Sequence, residues 1–390
     1  ITGDKNVPIE QHHTVIKRIS GSQSSGANFI SFNYPAFRSY GKEKGMNAPV
    51  SKSAAAAYTK ALQELVNSEK NNVRIANSTI VFWAEKKSKS QNSYDLEENF
   101  AWFIADPPKD DPDRGVQAVK SLYDAIYTGR LAGSNDRFYI LGLAPNISRI
   151  SVRFFRQGTV REFGEKIKQH FDDFAIVKSP KEPEYLSLSR ILTATALQYK
   201  MQNVPPNLAS AVIVSILDGT PYPMTLLQQC IRRIRAEQNV TRARAAILKA
   251  TVNRFNRIHK PNEKEITMAL DPNNKNPGYL LGRLFAVLEK IQEKASPDIN
   301  ATIRDRVYGS ASTNPVVVFP QLLKLKNHHL AKLDHPGRKI FFEKLIGEIM
   351  SGLSEIPPHL SMNDQAYFAI GYYHQRQDFY KSQKDNNATN

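Results

Sequence analysis

The spacing of hydrophobic residues changes near Gly158, and this change constrains the fold more than any other feature of the sequence. Before it, short runs rich in β-branched and aromatic residues predict strands, namely HTVIKRIS (13–20), ANFISF (27–32) and STIVFWAE (78–85). After it, apolar residues recur every three or four positions, which is the period of an α-helix. The sequence therefore predicts an α+β fold, in which a mixed α/β section precedes an all-helical C-terminal half.

Within the mixed section, SKSAAAAYTKALQELVNS (51–68) predicts a helix that begins at Ser51 or Ser53, since either serine can cap its first turn. The other elements predicted there are a helix over 115–129, a strand–turn–strand unit over 137–155, and loops over 86–99 and 106–115. No strand is predicted beyond residue 156.

The chain has 390 residues, which is more than one ordinary core accommodates. We predict three domains: 1–156, a mixed α/β domain that is part of a larger N-terminal region; 157–267, helical and basic; and 268–390, a C-terminal helical bundle. Since the chain opens on Ile1 without an initiator methionine, we expect it to be a piece of a longer polypeptide.

The net charge of +16 points to a polyanionic partner, either a nucleic acid or an anionic membrane surface. No apolar run approaches the roughly 20 residues that span a bilayer, and no signal peptide opens the chain. The single cysteine, Cys230, excludes an internal disulfide and a cysteine-based zinc site. A cytoplasmic protein with no membrane partner and no cofactor is predicted.

The positive charge is concentrated in 231–260, IRRIRAEQNVTRARAAILKATVNRFNRIHK, which holds nine Arg and Lys residues and one acid, Glu237. Apolar residues recur through this stretch at helical spacing, so it predicts two amphipathic helices. In the first helix, the predicted buried stripe is Leu226, Leu227, Cys230, Ile231 and Ile234, and Arg232, Arg233 and Arg235 fall outside it.

The second helix begins near Thr241, and its predicted buried side is Ile247, Leu248, Phe255 and Ile258. Arg244 and Arg254 project into or beside that side, while Arg242, Arg257 and Lys260 project away from it. An arginine in an apolar sector needs an anionic partner, which is either a carboxylate or a phosphate. The excess of Arg over Lys favours phosphate. The alternative is a solvated basic face, or pairing with acids elsewhere in the chain.

The loop GSQSSG (21–26) is a second candidate for DNA contact, because short polar side chains on a glycine-rich backbone can reach into a minor groove. Its candidate base-contacting residues are Gln23, Ser24 and Asn28. The flanking cations that could hold phosphates are Lys17, Arg18, Arg38, Lys42 and Lys44. An ordinary surface loop is the alternative interpretation.

Support for catalysis is weak. Glu85-x-Lys87 matches half of a restriction-type nuclease motif, but the upstream acid that would hold Mg²⁺ with Glu85 is missing. The acids of 106–113 predict a solvated loop, and the histidines of NHHLAKLDH (327–335) lack the spacing of a zinc site. No catalytic or metal-binding residue is therefore assigned.

Six segments resemble the large subunit of the type I-C CRISPR Cascade surveillance complex, which serves antiviral defence. They are GANFISFNYPAFRSYGKEKGMNAPVS (26–51), STIVFWAE (78–85), RFYILGLAPNISRISVRFF (137–155), NPGYLLGRLFAVLEKIQ (276–292), INATIRDRVYGSASTNPVVVFPQLLKLKNHHLAKL (299–333) and FAIGYYHQRQDFY (368–380). They occur in the same order along almost the whole chain, and the family is longer at its N-terminus.

The resemblance implies a non-catalytic, DNA-binding subunit of an RNA-guided ribonucleoprotein complex. Such a subunit helps to recognise the motif beside the target, opens the duplex, guides the displaced strand and presents a surface to the recruited helicase–nuclease. The implied partners are double-stranded target DNA, the displaced single strand, the guide-RNA-bearing backbone subunits and the subunit that caps the guide end. An RNA-binding or ribosome-associated basic protein is the alternative function.

The family also makes a small subunit from an internal start in the same gene. Met268 lies at the edge of the basic segment, and we predict that the short product begins there rather than at Met224, which would start inside a helical unit. The basic segment would then belong to the long product alone.

Overall fold

The computed structural model describes residues 5–85, 94–131 and 136–387, with side chains described up to residue 380. The chain forms two compact units, each assembled from several segments. Unit 1 comprises Ile1–Lys168, Ser187–Ser189 and Met201–Gly219; unit 2 comprises Gln169–Leu186, Arg190–Lys200 and Thr220–Asn390. The division into domains 1–156, 157–267 and 268–390 stays a prediction.

Unit 1 is built on a four-stranded antiparallel sheet in which sequential strands are neighbours. The strands are β1 Asn72–Ile75, β2 Ser78–Glu85, β3 Arg137–Asn146 and β4 Arg149–Thr159. Val81 lies opposite Leu141, and Leu141 lies opposite Phe155, so side chains of the same face meet across three strands. A bulge between Gly142 and Leu143 shifts the register of the long β3–β4 hairpin.

Helices cover both faces of this sheet. On one face, Leu62 and Val66 of α1 (Lys52–Asn67) join Val81 and Leu143 in a buried cluster. On the other face, Phe82 and Phe138 pack on Phe100 of α2 (Leu96–Ile104), with ring centroids 4.7 and 5.5 Å from it. The remaining α-helices of unit 1 among the described residues are α3 (Arg114–Tyr127), the first part of α4 (Val160–Phe174) and α6 (Leu208–Asp218).

The described residues of unit 2 form helices and the segments that connect them, without a β-strand. Its helices are the end of α4, then α5 (Leu188–Ala194, mostly in this unit), α7 (Met224–Glu237), α8 (Arg242–His259), α9 (Pro277–Ala295), α10 (Ile303–Ala311), α11 (Pro315–Ala331), α12 (Pro336–Ser351) and α13 (Met362–Asn387). Helix α9 is the centre of the C-terminal part and packs mainly against α13, as well as α10, α11 and α12. A Cβ at Gly282 would lie 2.0 Å from the carbonyl oxygen of Phe368, so glycine lets these two helices approach closely.

The predicted α+β class is confirmed, and so are most elements with strong periodicity. Strand β2 has the predicted bounds, the 137–155 unit is the β3–β4 hairpin, and α1 begins after Ser51, whose hydroxyl accepts from the amide of Ala54 at 3.2 Å. The prediction of strands at 13–20 and 27–32 is wrong. These segments make only isolated bridges, such as Ile16–Ala27, because their apolar residues are buried by packing rather than by strand pairing.

One strand and two α-helices, all of them short, were not predicted: β1, α2 and α10. Helix α2 occupies part of the polar stretch 86–99 that predicted a loop; Asp95 caps it by accepting from the amide of Glu98. Residues 86–93 of that stretch lie outside the described residues. Each of these elements is too short, at four to nine residues, to carry a clear period.

Candidate nucleic-acid interface

The GSQSSG loop of unit 1 projects beside the tip of the β3–β4 hairpin. Its turn closes with a hydrogen bond from the amide of Gly26 to the carbonyl of Gln23, and Gly26 has a φ of +101°, which favours glycine. Asn28 then joins the hairpin, since its amide donates to the carbonyl of Ser148 and its carbonyl accepts from the amide of Ile150, both at 2.9 Å. The structure thus holds the loop's base against a rigid hairpin and leaves Gln23 and Ser24 exposed.

The flanking cations of this loop also have exposed side chains: Lys17, Arg18, Arg38, Lys42 and Lys44. None of these five makes an ion pair within residues 5–85, 94–131 and 136–380. We call Lys17, Arg18, Gln23, Ser24, Asn28, Arg38, Lys42 and Lys44 the loop face; all eight belong to unit 1. The five cations of the loop face are thus exposed and make no ion pair among the described residues.

Helix α7 of unit 2 has the predicted amphipathic arrangement. Its apolar stripe, Leu226, Leu227, Cys230, Ile231 and Ile234, is buried. Arg232 and Arg235 are exposed and make no ion pair among the described residues. Arg233 differs, because its guanidinium lies 3.6 Å from the carboxylate of Glu237, one turn further along the helix. Two of the three α7 arginines, Arg232 and Arg235, are therefore free to meet a phosphate; we call these two the α7 face.

Helix α8 places its arginines differently, because it is buried on most of its surface. Arg244 has no solvent-exposed area, and its guanidinium donates to the carboxylate of Glu237 and to the carbonyl oxygens of Ala194 and Asn239 at 3.0 and 2.9 Å. Glu237, the only acid in 231–260, thus serves both Arg244 and Arg233. The partner of Arg244 is a carboxylate of its own chain.

A second internal network surrounds Asp173 of α4. Its buried carboxylate accepts from Nε of Arg254 at 2.6 Å and from Nη2 of Arg257 at 3.0 Å. The guanidinium of Arg254 also lies over the ring of Tyr222, with its central carbon 4.1 Å from the ring centroid. Glu265 holds the other side of Arg257 at 2.6 Å, and this hydrogen bonding raises the pKa of the Arg257 guanidinium. Arg254 and Arg257 are therefore engaged within unit 2.

His170 completes the Asp173 network. Its Nδ1 lies 2.8 Å from the hydroxyl of Tyr222, and the imidazole is fully enclosed. Burial, and then the positive charge of Arg254, lower the pKa of His170 to about 3. The imidazole is therefore neutral in the folded protein at pH 7.

Arg242 begins α8 and is buried, although the helical wheel predicted that it projects away from the apolar side. Its guanidinium donates to the carbonyl oxygens of Pro183 and Glu184 at 2.6 and 2.9 Å, and burial lowers its pKa. The predicted burial of Phe255 and Ile258 is likewise wrong, since they are 39% and 45% exposed. The prediction of one buried side for α8 was wrong because this helix packs on several sides, so its buried residues do not fall in a single apolar sector.

The DNA contacts predicted for Arg242, Arg244, Arg254 and Arg257 stay predictions. Each of these guanidinium groups already holds an acceptor within unit 2, and three of the four are buried, so a phosphate would have to displace those acceptors. Arg244 and Arg254 each contact a carboxylate of unit 2. The cations of the loop face and of the α7 face are instead exposed.

The weaker candidates for chemistry have structural partners. Glu85 accepts a hydrogen bond from the hydroxyl of Tyr139 at 3.1 Å, and Lys87 lies outside the described residues. Asp106 accepts from the hydroxyl of Ser189 at 2.7 Å, within unit 1. Among the described residues there is no group of three or more His, Cys, Asp or Glu side chains that could hold a metal ion.

Met268 lies between α8 and α9, in a stretch without helix, and is 56% exposed. Its carbonyl accepts from the amide of Val177 at 2.8 Å. Met224 is instead the first residue of α7. In the part of the chain that the structure describes, no helix is both long and apolar enough to cross a membrane.

Arg149 is not among the predicted site residues, but the structure gives it a contact beside the loop face. Its guanidinium donates to the side-chain oxygen of Asn33 and lies over the ring of Tyr34, with its central carbon 5.0 Å from the ring centroid. Arg149 starts β4, so this contact ties the segment between Asn28 and Arg38 of the loop face to the start of that strand. Pairing across more than a hundred residues leaves no local signal in a sequence.

Comparison with known proteins gives one family. The model of the CRISPR-associated protein family Cas_Csd1 matches residues 1–380. No curated protein matches the chain.

Proposed function

The chain belongs to the Cas_Csd1 family of CRISPR-associated proteins, and on that premise we propose that it is the large subunit of a type I-C Cascade surveillance complex. In this role it helps to recognise the motif beside the target, opens the duplex and guides the displaced strand. Guide RNA pairing reads the target sequence in such complexes, so the protein has to read only the adjacent motif and the backbone.

The observation that carries the proposal is the loop face. Five exposed cations without ion pairs among the described residues flank, in the sequence, a polar loop whose base is hydrogen-bonded to a hairpin. Cations of this kind release counterions from DNA and hold phosphates, while short polar side chains can contact base edges in the minor groove. We propose that Gln23 and Ser24 contact base edges and that Lys42 and Lys44 hold phosphates.

The α7 face is the second DNA-contacting surface in this proposal. Arg232 and Arg235 project from a helix whose opposite side is locked into unit 2 by its apolar stripe. Guanidinium groups bind phosphate oxygens in a planar, two-pronged geometry. Contacts to phosphate carry no sequence information, so we propose that these two residues contribute to affinity rather than to sequence preference.

We infer a non-catalytic subunit. The family is one of Cascade structural subunits, and the single nuclease-like feature, Glu85-x-Lys87, comes without the acid that would complete a Mg²⁺ site. A Mg²⁺-dependent cleavage activity that Glu85→Ala abolishes would contradict this part of the proposal.

The proposed partners are the guide-RNA-bearing backbone subunits, the subunit that caps the guide end and the helicase–nuclease recruited after target binding. The family membership implies other Cascade subunits as partners. The C-terminal helices α9–α13 are the proposed contact region for sister subunits, since they form a bundle around α9.

A short product starting at Met268 is part of the same proposal. It would contain α9 to α13 and lose α7 and α8, and Met268 lies in the non-helical stretch that separates α8 from α9. Replacing Met268 by Ala in the expressed gene should remove the short product from purified complexes, as measured by mass spectrometry. Recovery of an unchanged short product would exclude this start.

The test of the main function is reconstitution with guide RNA, the other Cascade subunits and a target duplex. We expect the variant Lys42→Gln/Lys44→Gln to assemble normally, to bind target DNA more weakly and to show a smaller dependence of affinity on salt. Normal assembly with unchanged target binding would contradict the role of the loop face. Preferential binding to structured RNA without guide would instead favour an RNA-binding or ribosome-associated protein.

A further inference from the structure

Exposed aromatic rings lie among the cations of the loop face. Tyr40 is fully exposed and Tyr34 is 61% exposed, and both belong to the segment that also holds Arg38, Lys42 and Lys44. The 3₁₀ helix Pro35–Gly41 in this segment buries none of its own side chains. Rings that are exposed in this way contribute little to the hydrophobic core, so the fold does not explain them.

The backbone at Tyr40 adds to this observation. Its φ is +60°, in the left-handed region that bulky residues rarely adopt. Glycine or asparagine would occupy this position at lower cost. A tyrosine that is both strained and fully exposed is a costly choice for stability, and such choices concentrate at binding sites.

Tyr34 is held in place while most of its surface stays open. The guanidinium of Arg149 lies over its ring at 5.0 Å, and the ring of Phe37 is 6.2 Å away. Arg149 is itself fixed by its hydrogen bond to Asn33 and by its place at the start of β4. The ring and the planar guanidinium thus form a preorganised stack that a further planar group can extend.

We propose that Tyr34, Tyr40 and Arg149 stack on unpaired bases, so that the loop face takes single-stranded DNA in addition to duplex. Bases of a duplex already stack on one another and offer no free faces, whereas bases of a separated strand do. Aromatic rings interleaved with cations are the arrangement that binds single strands: rings stack on bases and cations follow the phosphates. The inference rests on the proposed function and specifies its partner as the strand displaced when the duplex opens.

The test measures binding of the 390-residue chain to a short fluorescent oligonucleotide and to its duplex at several salt concentrations. Tyr34→Leu and Tyr40→Asn should each weaken single-strand binding by roughly 5- to 150-fold, if each ring stacks on one base. Duplex binding should change less than twofold. The salt dependence should stay the same, since no cation is removed.

Matched controls are available in the same chain. Tyr127 is 92% exposed at the end of α3 and lies outside the segment that holds Arg38, Lys42 and Lys44, so Tyr127→Leu should leave both affinities unchanged. Tyr34→Phe keeps the ring and should bind as the unmodified chain does. A strand carrying 2-aminopurine should lose fluorescence on binding, and the Tyr34→Leu and Tyr40→Asn variants should reduce that loss. Circular dichroism confirms that each variant is folded.

The outcomes separate this inference from the proposed function. If Tyr34→Leu and Tyr40→Asn bind the single strand normally while Lys42→Gln/Lys44→Gln weakens binding to both forms, stacking is refuted and DNA binding stands. Equal losses for strand and duplex, or a loss confined to single-stranded RNA, also refute it. A chain whose affinity for every DNA form is independent of salt would overturn both proposals.

Discussion

Helices α7 and α8 are adjacent in the chain and equally rich in arginine, yet they use it in opposite ways. On α7, Arg232 and Arg235 face solvent while the apolar stripe holds the helix in unit 2. On α8, Arg242, Arg244 and Arg254 are buried. The arginines differ in exposure because α7 is covered by the rest of unit 2 on one side, whereas α8 is covered on several sides.

A helix covered on one side can keep its cations in water, where they are available to a polyanion. A helix covered on several sides has to supply each buried guanidinium with an acceptor, because an unpaired buried charge is very costly. Unit 2 meets this need with Asp173, Glu237 and main-chain carbonyl groups. Positive charge in a sequence therefore indicates a nucleic-acid surface only where packing leaves the cation exposed.

The largest expected effect tests the buried side of this comparison. Asp173→Asn removes the carboxylate shared by Arg254 and Arg257, so the free energy of unfolding should fall by about 3–5 kcal/mol. Asp172→Asn, at the preceding position of α4 and only partly buried, should cost much less. Urea denaturation of both variants measures this. Similar costs would mean that the Asp173 network does not hold unit 2 together.

The next effect is a dependence of stability on pH. Folding lowers the pKa of His170 from 6.5 to about 3, so the unfolded chain binds the proton more readily. The stability that the neutral imidazole contributes is complete above pH 6.5 and is lost as the pH falls towards 3. Between pH 7 and pH 5 this group alone should lower the free energy of unfolding by about 2 kcal/mol.

His170→Gln should reduce that pH dependence, whatever its effect on stability at pH 7. His259→Gln replaces an exposed imidazole of unit 2 and serves as the control. Urea denaturation at the two pH values gives the difference for each variant. An identical pH dependence for His170→Gln and the unmodified chain would contradict the burial argument.

A smaller effect tests the exposed side of the comparison. Arg232→Ala/Arg235→Ala should weaken binding at every DNA sequence and lower the dependence of log affinity on log salt by roughly 0.7–0.9 per lost contact. Stability should be unchanged, because neither side chain is paired within the described residues. Fluorescence anisotropy at increasing salt measures the slope. An unchanged slope would assign the α7 face to a sister subunit instead.

The smallest expected effect is a loss of stability on the solvent-exposed side of α8, where Phe255 lies. Phe255 is 39% exposed, so Phe255→Ala should cost well under the roughly 3–5 kcal/mol of a buried phenylalanine. Thermal denaturation beside Phe285→Ala on α9, where the ring is fully buried, gives the comparison. Equal losses in the two variants would mean that Phe255 is covered in solution.

Periodicity predicted the long elements well and the short ones poorly. Helix α1 and the α7 stripe were found where the sequence placed them, since each presents a regular apolar side to one core. Strand β2 was found because it is a short run of β-branched and aromatic residues, a composition typical of strands. The prediction of strands at 13–20 and 27–32 was wrong, because β-branched residues are buried equally well by packing without strand pairing. The exposure of Gln23 and Ser24 could be predicted, because the glycine and serine residues around them are typical of a surface loop.

The sequence by itself determined the α+β class, the excess of positive charge and the amphipathic form of α7, because these depend on composition and local spacing. Only the tertiary structure decided which arginines remain available. Asp173 is 81 residues from Arg254 in the chain, and Arg149 is 116 residues from Asn33. A pairing between groups so distant depends on how the elements pack, and packing assigned one set of arginines to the interior and left the other for a partner.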